Sequence, residues 1–275
     1  MVRNSARRAL RSLLAMELFD SLLDDETLLR RQDLPVPAMV ADHLALRKTY
    51  GRLIATLVSP DRQLAELARH IPADLSVPVS VIISGGAGGL LGLARRDLPE
   101  VAIVSAEPAL RDLDDLAGNA ARVVSAAAEL GNEVAIFVEF PYAPGWKIAV
   151  ELVEAAGLYG KILYGKIASD EAEPRQTAEQ LSFLIEADLP FKISSRSATG
   201  WSALLTTIAV LIDGASIEDA ANLLQRGSKH QSGATASVWE QTMQSPIMQA
   251  RTRRRLRRLG TDHIREVVSD YVAEQ

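Results

Sequence analysis

The hydrophobic pattern falls into two regimes along the chain. Over about residues 5–23, apolar side chains recur at helical spacing (Ala9, Leu10, Leu13, Leu14, Leu18, Leu22), which predicts an amphipathic N-terminal helix closed by Asp24-Asp25-Glu26. Leu34-Pro-Val-Pro37 marks a turn, and 38–50 reads as a second helix with Val40, Leu44 and Leu46 on its apolar side. Beyond it, short continuous apolar runs alternate with longer amphipathic ones. The runs 53–58, 79–84, 101–105, 134–139, 161–164 and 191–194 are predicted strands, the first stopped by Ser59-Pro60. Between and after them, 61–70, a short stretch after the glycines at 85–89, 113–130, 146–156, 175–187, 201–212 and 217–225 are predicted helices.

Strands that alternate with helices signal βαβ units and a parallel sheet. The runs are rich in Val, Ile and Ala without strict alternation, so both sheet faces are expected to be covered. Six strands are clear. A first near Thr27–Leu29 and a last near Leu256–Leu259, before a helix over 261–272, would make eight units. The expected fold is therefore α/β, a TIM-like (β/α)8 barrel spanning 1–275 as one domain and least regular at its ends. The alternative is an open doubly wound parallel sheet. The barrel is preferred because no nucleotide-binding fingerprint follows the first strand. The polar stretch 227–248, rich in Ser, Gln and Thr, predicts a long loop.

Composition narrows the function classes. The chain of 275 residues has no cysteine, which excludes disulfides, thiolate metal sites and cysteine nucleophiles, and suits a cytoplasmic location. No apolar run reaches the roughly 18–20 residues a bilayer requires. The most apolar stretch, 201–212, ends at Asp213. Arg3, Arg7, Arg8 and Arg11 precede a segment broken by Glu17 and Asp20, which is unlike a signal peptide. Arg251, Arg253, Arg254, Arg255, Arg257 and Arg258 could face a phosphate-rich partner. Yet the net charge is −5, no aromatics are interleaved, and Asp262, Glu266 and Asp270 offset the cluster, so nucleic acid is not an expected partner. His43, His70, His230 and His263 show no metal-ligand spacing. No metal, cofactor or hydrolase triad is expected.

Two lysines stand out. Gly157-Leu-Tyr-Gly-Lys-Ile-Leu-Tyr-Gly165 and Leu189-Pro-Phe-Lys-Ile-Ser-Ser195 each place one lysine inside an apolar strand. Lysine is almost never fully buried unless paired. Lys161 and Lys192, on the sixth and seventh expected strands, therefore need partners or a role.

Several motifs, taken in order, resemble a set of uncharacterised actinobacterial (β/α)-barrel proteins. They are Asp24-Asp25, Ser59-Pro60-Asp61-Arg62-Gln63-Leu64, Val79-Ser-Val-Ile-Ile-Ser-Gly-Gly-Ala-Gly-Gly89, Leu116-Ala-Gly-Asn119, Pro144-Gly-Trp146, Gly160-Lys161 and Pro190-Phe-Lys192. The resemblance covers most of residues 20–225 and implies a barrel. The chain departs from that pattern in Ser194-Ser-Arg-Ser-Ala-Thr-Gly-Trp201, where relatives carry a histidine-containing loop, and in Glu26-Thr-Leu-Leu-Arg-Arg-Gln-Asp33, where they carry a Pro/Gly-rich one. The lysine placement also looks like that of class I aldolases of the deoxyribose-phosphate type, which implies imine chemistry.

An imine requires a neutral amine, and burial beside a second cation lowers a lysine's pKa. Either lysine could instead form a structural ion pair with a barrel carboxylate, or snorkel outward. Glu139 ends the fifth strand and Glu107 follows the fourth, at the end of a barrel where sites are built. Each is a candidate acid or base, or the partner that keeps a lysine charged. Gly85, Gly86 and Gly88 open a helix with free N–H groups that suit an anion, or simply form a tight turn. Ser194, Ser195 and Arg196, with Ser197, follow the seventh strand and could bind phosphate, or form an exposed polar loop. The expected function is that of a lyase or isomerase acting on a small carbonyl compound, phosphorylated or not, through a barrel lysine. The alternative is a non-catalytic barrel that binds or assembles, as a homo-oligomer or with a protein partner, using 201–212 and 227–248.

Overall fold

In the computed structural model, residues 17–96, 98–99, 101–165, 173–196, 200–228 and 245–273 are described. Eight strands run Leu23–Asp25 (β1), Ile54–Pro60 (β2), Pro78–Ile83 (β3), Ala102–Pro108 (β4), Ala135–Glu139 (β5), Tyr159–Tyr164 (β6), Phe191–Ser195 (β7) and Leu256–Thr261 (β8). Each pairs in parallel with the next, and β8 returns to β1, closing the barrel. The open-sheet alternative is excluded.

Helices follow the strands and coat the barrel, so each strand's outward residues meet an apolar helix face. Val79, Val81 and Ile83 of β3, and Phe191 and Ile193 of β7, join this shell. The helix Trp201–Ile212 is buried along nearly its whole length and packs against the helix Ile217–Ser228, so it belongs to the coat. Trp146 and Trp201 each begin a helix and are buried. Both helices are entered through a left-handed glycine, Gly145 and Gly200, a conformation that a side chain would strain.

The ends differ from the sequence reading. The first strand is Leu23–Asp25, whereas Thr27–Arg30 is a turn of helix. The Asp25 carboxylate accepts the Thr27 N–H at 3.0 Å and its hydroxyl at 2.5 Å, which starts that turn. The acidic triplet therefore does not close a helix reaching Leu23. Glu17–Phe19 is a single 3-10 turn, 20–22 are not helical, and 5–16 of the expected N-terminal helix lie outside the described residues. Ser59 and Pro60 belong to β2 and do not stop it. Of the expected loop 227–248, Gly227 and Ser228 close one helix and Pro246 opens another, Pro246–Arg255, while 229–244 lie outside the described residues.

The arginine cluster is largely structural. Arg253 donates to the carbonyls of Asp20 at 3.0 Å and Leu256 at 2.7 Å, and Arg258 donates to that of Ser21 at 3.1 Å, tying β8 to the entry of β1. Arg254 and Arg255 both pair with Asp188. Among the described residues, no helix is long and apolar enough to cross a membrane.

Candidate active site

The inside of the barrel is polar. Asp24, Thr56, Ser80, Ser105, Glu107, Lys161, Lys192 and Ser194 are all buried, on β1, β2, β3, β4, β6 and β7. Several touch across strands that are not neighbours, which only side chains in the lumen can do. Strand register sets the arrangement. Glu139 pairs with Lys161, Lys161 with Lys192, and Lys192 with Arg258, a row crossing β5 to β8. Asp24 is the register partner of Thr56.

Glu107 lies at the centre. Its Oε1 accepts from Lys192 Nζ at 2.8 Å, and its Oε2 lies 2.9 Å from Lys161 Nζ. Ser80 donates to Oε1 at 2.5 Å, and Ser105 donates to Ser80 at 2.7 Å. Lys192 also donates to Asp24 Oδ2 at 2.7 Å and lies 3.9 Å from Glu26. Lys161 has a second carboxylate, Glu139 Oε2, at 3.2 Å. Thr56 donates to the other oxygen of Asp24 at 2.7 Å, and Arg258 Nε approaches it at 3.6 Å. Glu26 receives Ser194 at 2.5 Å and Arg30 Nε at 2.8 Å. Four carboxylates (Asp24, Glu26, Glu107, Glu139) thus meet four cations (Lys161, Lys192, Arg30, Arg258), and the interior is close to neutral.

Burial and pairing oppose each other here, and pairing wins. Burial alone would raise the Glu107 pKa, but the Lys161 and Lys192 ammonium groups hold it down at about 2. Burial alone would lower Lys161, but Glu107, Glu139 and Glu26 hold it above the ordinary lysine value. Burial likewise disfavours the Lys192 cation, yet Asp24, Glu107 and Glu26 outweigh both burial and repulsion from Lys161, leaving its pKa raised. Both amines are ammonium ions at neutral pH. The carboxylates around the two lysines thus outweigh the depression that burial and the neighbouring cation exert.

A pocket of about 600 Å³ opens above this network at the C-terminal ends of the strands. Lys161, Glu139, Ser194 and Arg196 line it, with Arg30, Arg111, Asp262 and His263 around the mouth. Glu139 is the more exposed of the two carboxylates lining it, with 22% of its side chain exposed against 10% for Asp262. Glu107 and Lys192 lie sealed beneath it. Ser195 is buried, and Ser197 lies outside the described residues. Gly85, Gly86 and Gly88 are not among the pocket residues. Beside their loop, the Asp61 carboxylate accepts the Ser84 N–H at 2.9 Å and its hydroxyl at 2.8 Å, which brings a negative charge next to the glycines.

Asp24, Glu26, Thr56, Ser80, Ser105, Arg111 and Arg258 were not foreseen from the sequence. One signal was available: a polar residue at alternate positions of apolar strands, as in Val79-Ser-Val and Ser105-Ala-Glu107. Asp25 is held apart from the lumen network by His43, whose Nδ1 lies 2.8 Å from its Oδ2. Among the described residues, no group of three or more His, Asp or Glu side chains is placed to hold a metal ion. Compared with known proteins, the chain matches no family model, and no curated protein or solved structure matches it significantly.

Proposed function

We propose that this barrel is a lyase or isomerase for a small carbonyl compound, with Lys161 binding the carbonyl oxygen and Glu139 moving the proton. One observation carries the reading: the 3.2 Å Lys161–Glu139 pair lines the pocket, while Glu107 and Lys192 are sealed below. A carboxylate and an ammonium ion reachable from one pocket suit enolisation. Glu139 would take a proton from the carbon beside the carbonyl. The C–H electron pair becomes the C=C bond of an enolate, and the oxygen's new charge rests against the Lys161 ammonium. Where the deprotonated carbon carries a hydroxyl, that hydroxyl's proton passes to the enolate oxygen as the carbon-bound proton is returned to the former carbonyl carbon, and the new carbonyl completes an isomerisation. Expelling a leaving group from the β-carbon completes a lyase step.

The aldolase-like imine route uses the same lysine but first requires it to lose its proton, which Glu107 and Glu139 oppose. The ammonium role is therefore preferred. The test is exchange of carbon-bound hydrogen in D2O, followed by NMR, with dihydroxyacetone phosphate and pyruvate as probes. Exchange should fall by about 10²–10⁴-fold in Glu139→Gln, the usual contribution of a positioned base. No exchange with either probe, or exchange that survives both Glu139→Gln and Lys161→Met, overturns the reading. A borohydride-trapped adduct on Lys161 would favour the imine route instead.

A second reading, a non-catalytic binding or assembly barrel, is supported by the closed charge balance of the interior, where every buried ion already has its partner. It predicts a stable complex or oligomer in gel filtration and no exchange.

A further inference from the structure

We propose that Arg111 and Arg196 form a two-pronged receptor for an oxyanion, a phosphate or carboxylate, carried by the ligand of the barrel mouth. The inference rests on the mouth being a ligand site, not on the chemistry proposed for Lys161 and Glu139.

Both arginines line the pocket and are exposed. Among the described residues, neither guanidinium has a carboxylate within ion-pair distance. Arg30, their neighbour at the mouth, differs: it is committed to Glu26 and lies 3.8 Å from Asp262. Arg30, Lys161 and Glu139 already belong to the balanced network of four carboxylates and four cations, so the mouth adds Arg111 and Arg196 against one further carboxylate, Asp262, a surplus of one positive charge before His263 is counted.

The backbones that carry the two arginines are fixed. Leu110 N–H donates to the Glu139 carbonyl at 3.0 Å, extending the β4–β5 pairing to the residue before Arg111. The Asn119 side-chain oxygen then accepts the N–H groups of Arg111 at 3.0 Å and Asp112 at 3.3 Å. This gives Leu116-Ala-Gly-Asn119 a purpose, since Asn119 secures the loop that presents Arg111 beside Glu139. Across the mouth, Arg196 N–H donates to the Tyr164 carbonyl at 3.0 Å, carrying the β6–β7 ladder one residue further. Anchored backbones reduce the ordering cost of binding, and planar guanidinium forks match a carboxylate or phosphate edge. The oxyanion would thus be held above the Lys161–Glu139 floor, with the rest of the ligand directed inward.

Calorimetric titration of the full chain tests this, with inorganic phosphate, pyruvate and the uncharged ketone acetone as separate probes. At least one anion should bind at millimolar concentration, and acetone should not. Whichever anion binds names the source, phosphate or carboxylate. Arg111→Gln and Arg196→Gln should each weaken binding by about tenfold or more, the usual effect of losing a charged hydrogen bond. Arg257→Gln, an exposed arginine at the other end of β8, should leave binding unchanged. Arg111→Lys and Arg196→Lys keep the charge but lose the fork, so they should fall between. Melting temperatures confirm that each variant is folded. The proposal is overturned if neither anion binds, or if binding is indifferent to both Gln substitutions. Anion binding without hydrogen exchange would leave this receptor standing and remove the enolisation reading. Exchange indifferent to both arginines would do the reverse.

Discussion

Lys161 and Lys192 are register partners on neighbouring strands, and one carboxylate, Glu107, lies 2.9 Å from the first ammonium and 2.8 Å from the second. Two like charges inside a barrel are tolerable because that carboxylate joins them, with Glu139 and Asp24 each pairing one from its other side. Glu107→Gln keeps the volume and removes the charge, leaving two buried cations without their shared partner. Breaking a buried pair in this way costs about 3–5 kcal/mol. The urea midpoint should fall accordingly, and adding Lys192→Met should recover part of the loss. A midpoint equal to that of the parent protein would show that Glu107 is not the keystone.

The same network sets a pH dependence. Glu107 is held at about 2 in the folded protein against an ordinary 4.5. A depressed carboxyl contributes stability that is present above its unfolded pKa and lost as pH falls through its folded one. The contribution is about 3 kcal/mol at neutral pH, fading between about pH 5 and pH 2. The raised lysines contribute below their unfolded pKa and lose that contribution only as pH rises above the ordinary lysine range. Stability measured against pH should therefore show the parent and Glu107→Gln converging on the acid side and separated by a constant gap from about pH 5 to 9. A gap that persists at pH 2 contradicts this account.

Gly260 is required by its neighbours rather than by its own backbone. A Cβ there would fall 1.9 Å from Glu26 Oε1 and 3.1 Å from Lys192 Cε. Gly260→Ala must therefore displace the Glu26 carboxylate, which holds Ser194 and Arg30. Overpacking of this kind costs about 1–3 kcal/mol, and here it also unseats a buried charge. Thermal unfolding should show a clear drop in Gly260→Ala, larger than in Gly92→Ala, where a Cβ meets nothing within 4 Å.

Much of the barrel was legible in the sequence because six of its strands are apolar runs set between helical ones, a pattern that depends only on local residues. β1 was not. Leu23-Asp24-Asp25 carries two carboxylates in three residues, contrary to strand preference. Its Asp24 is accommodated because Thr56 on the next strand and Lys192 across the lumen donate to it, and Lys192 lies 168 positions away in sequence. The lysines were legible for the opposite reason, each being the lone charge in an apolar run. Their partners were only partly so. Glu107 and Glu139 stood out at strand ends, but Ser80 and Ser105 pass for ordinary strand residues until the closed barrel turns them toward Glu107. Arg196 stood out with Ser194 and Ser195 after the seventh strand, whereas Arg111 looks like any loop arginine until the pocket comes into view.

The two lysines should separate cleanly on substitution, although their strands look alike. Lys192 is sealed and held by Asp24 and Glu107, with Glu26 further off, and it does not line the pocket. Lys192→Met would leave Asp24 and Glu107 facing each other without their common cation. That should destabilise the fold by about 3–5 kcal/mol. Lys161 lines the pocket, and one of its two carboxylates, Glu139, is partly solvated. Lys161→Met leaves Glu107 still paired to Lys192 and Glu139 free to meet water, so its cost to stability should be smaller, about 1–3 kcal/mol. Its cost to hydrogen exchange should be larger than that of any substitution at Lys192 that still folds. Denaturation midpoints and exchange rates measured on both variants give the comparison. If Lys161→Met proves the more destabilising of the two, the division into a structural and a ligand-facing lysine fails.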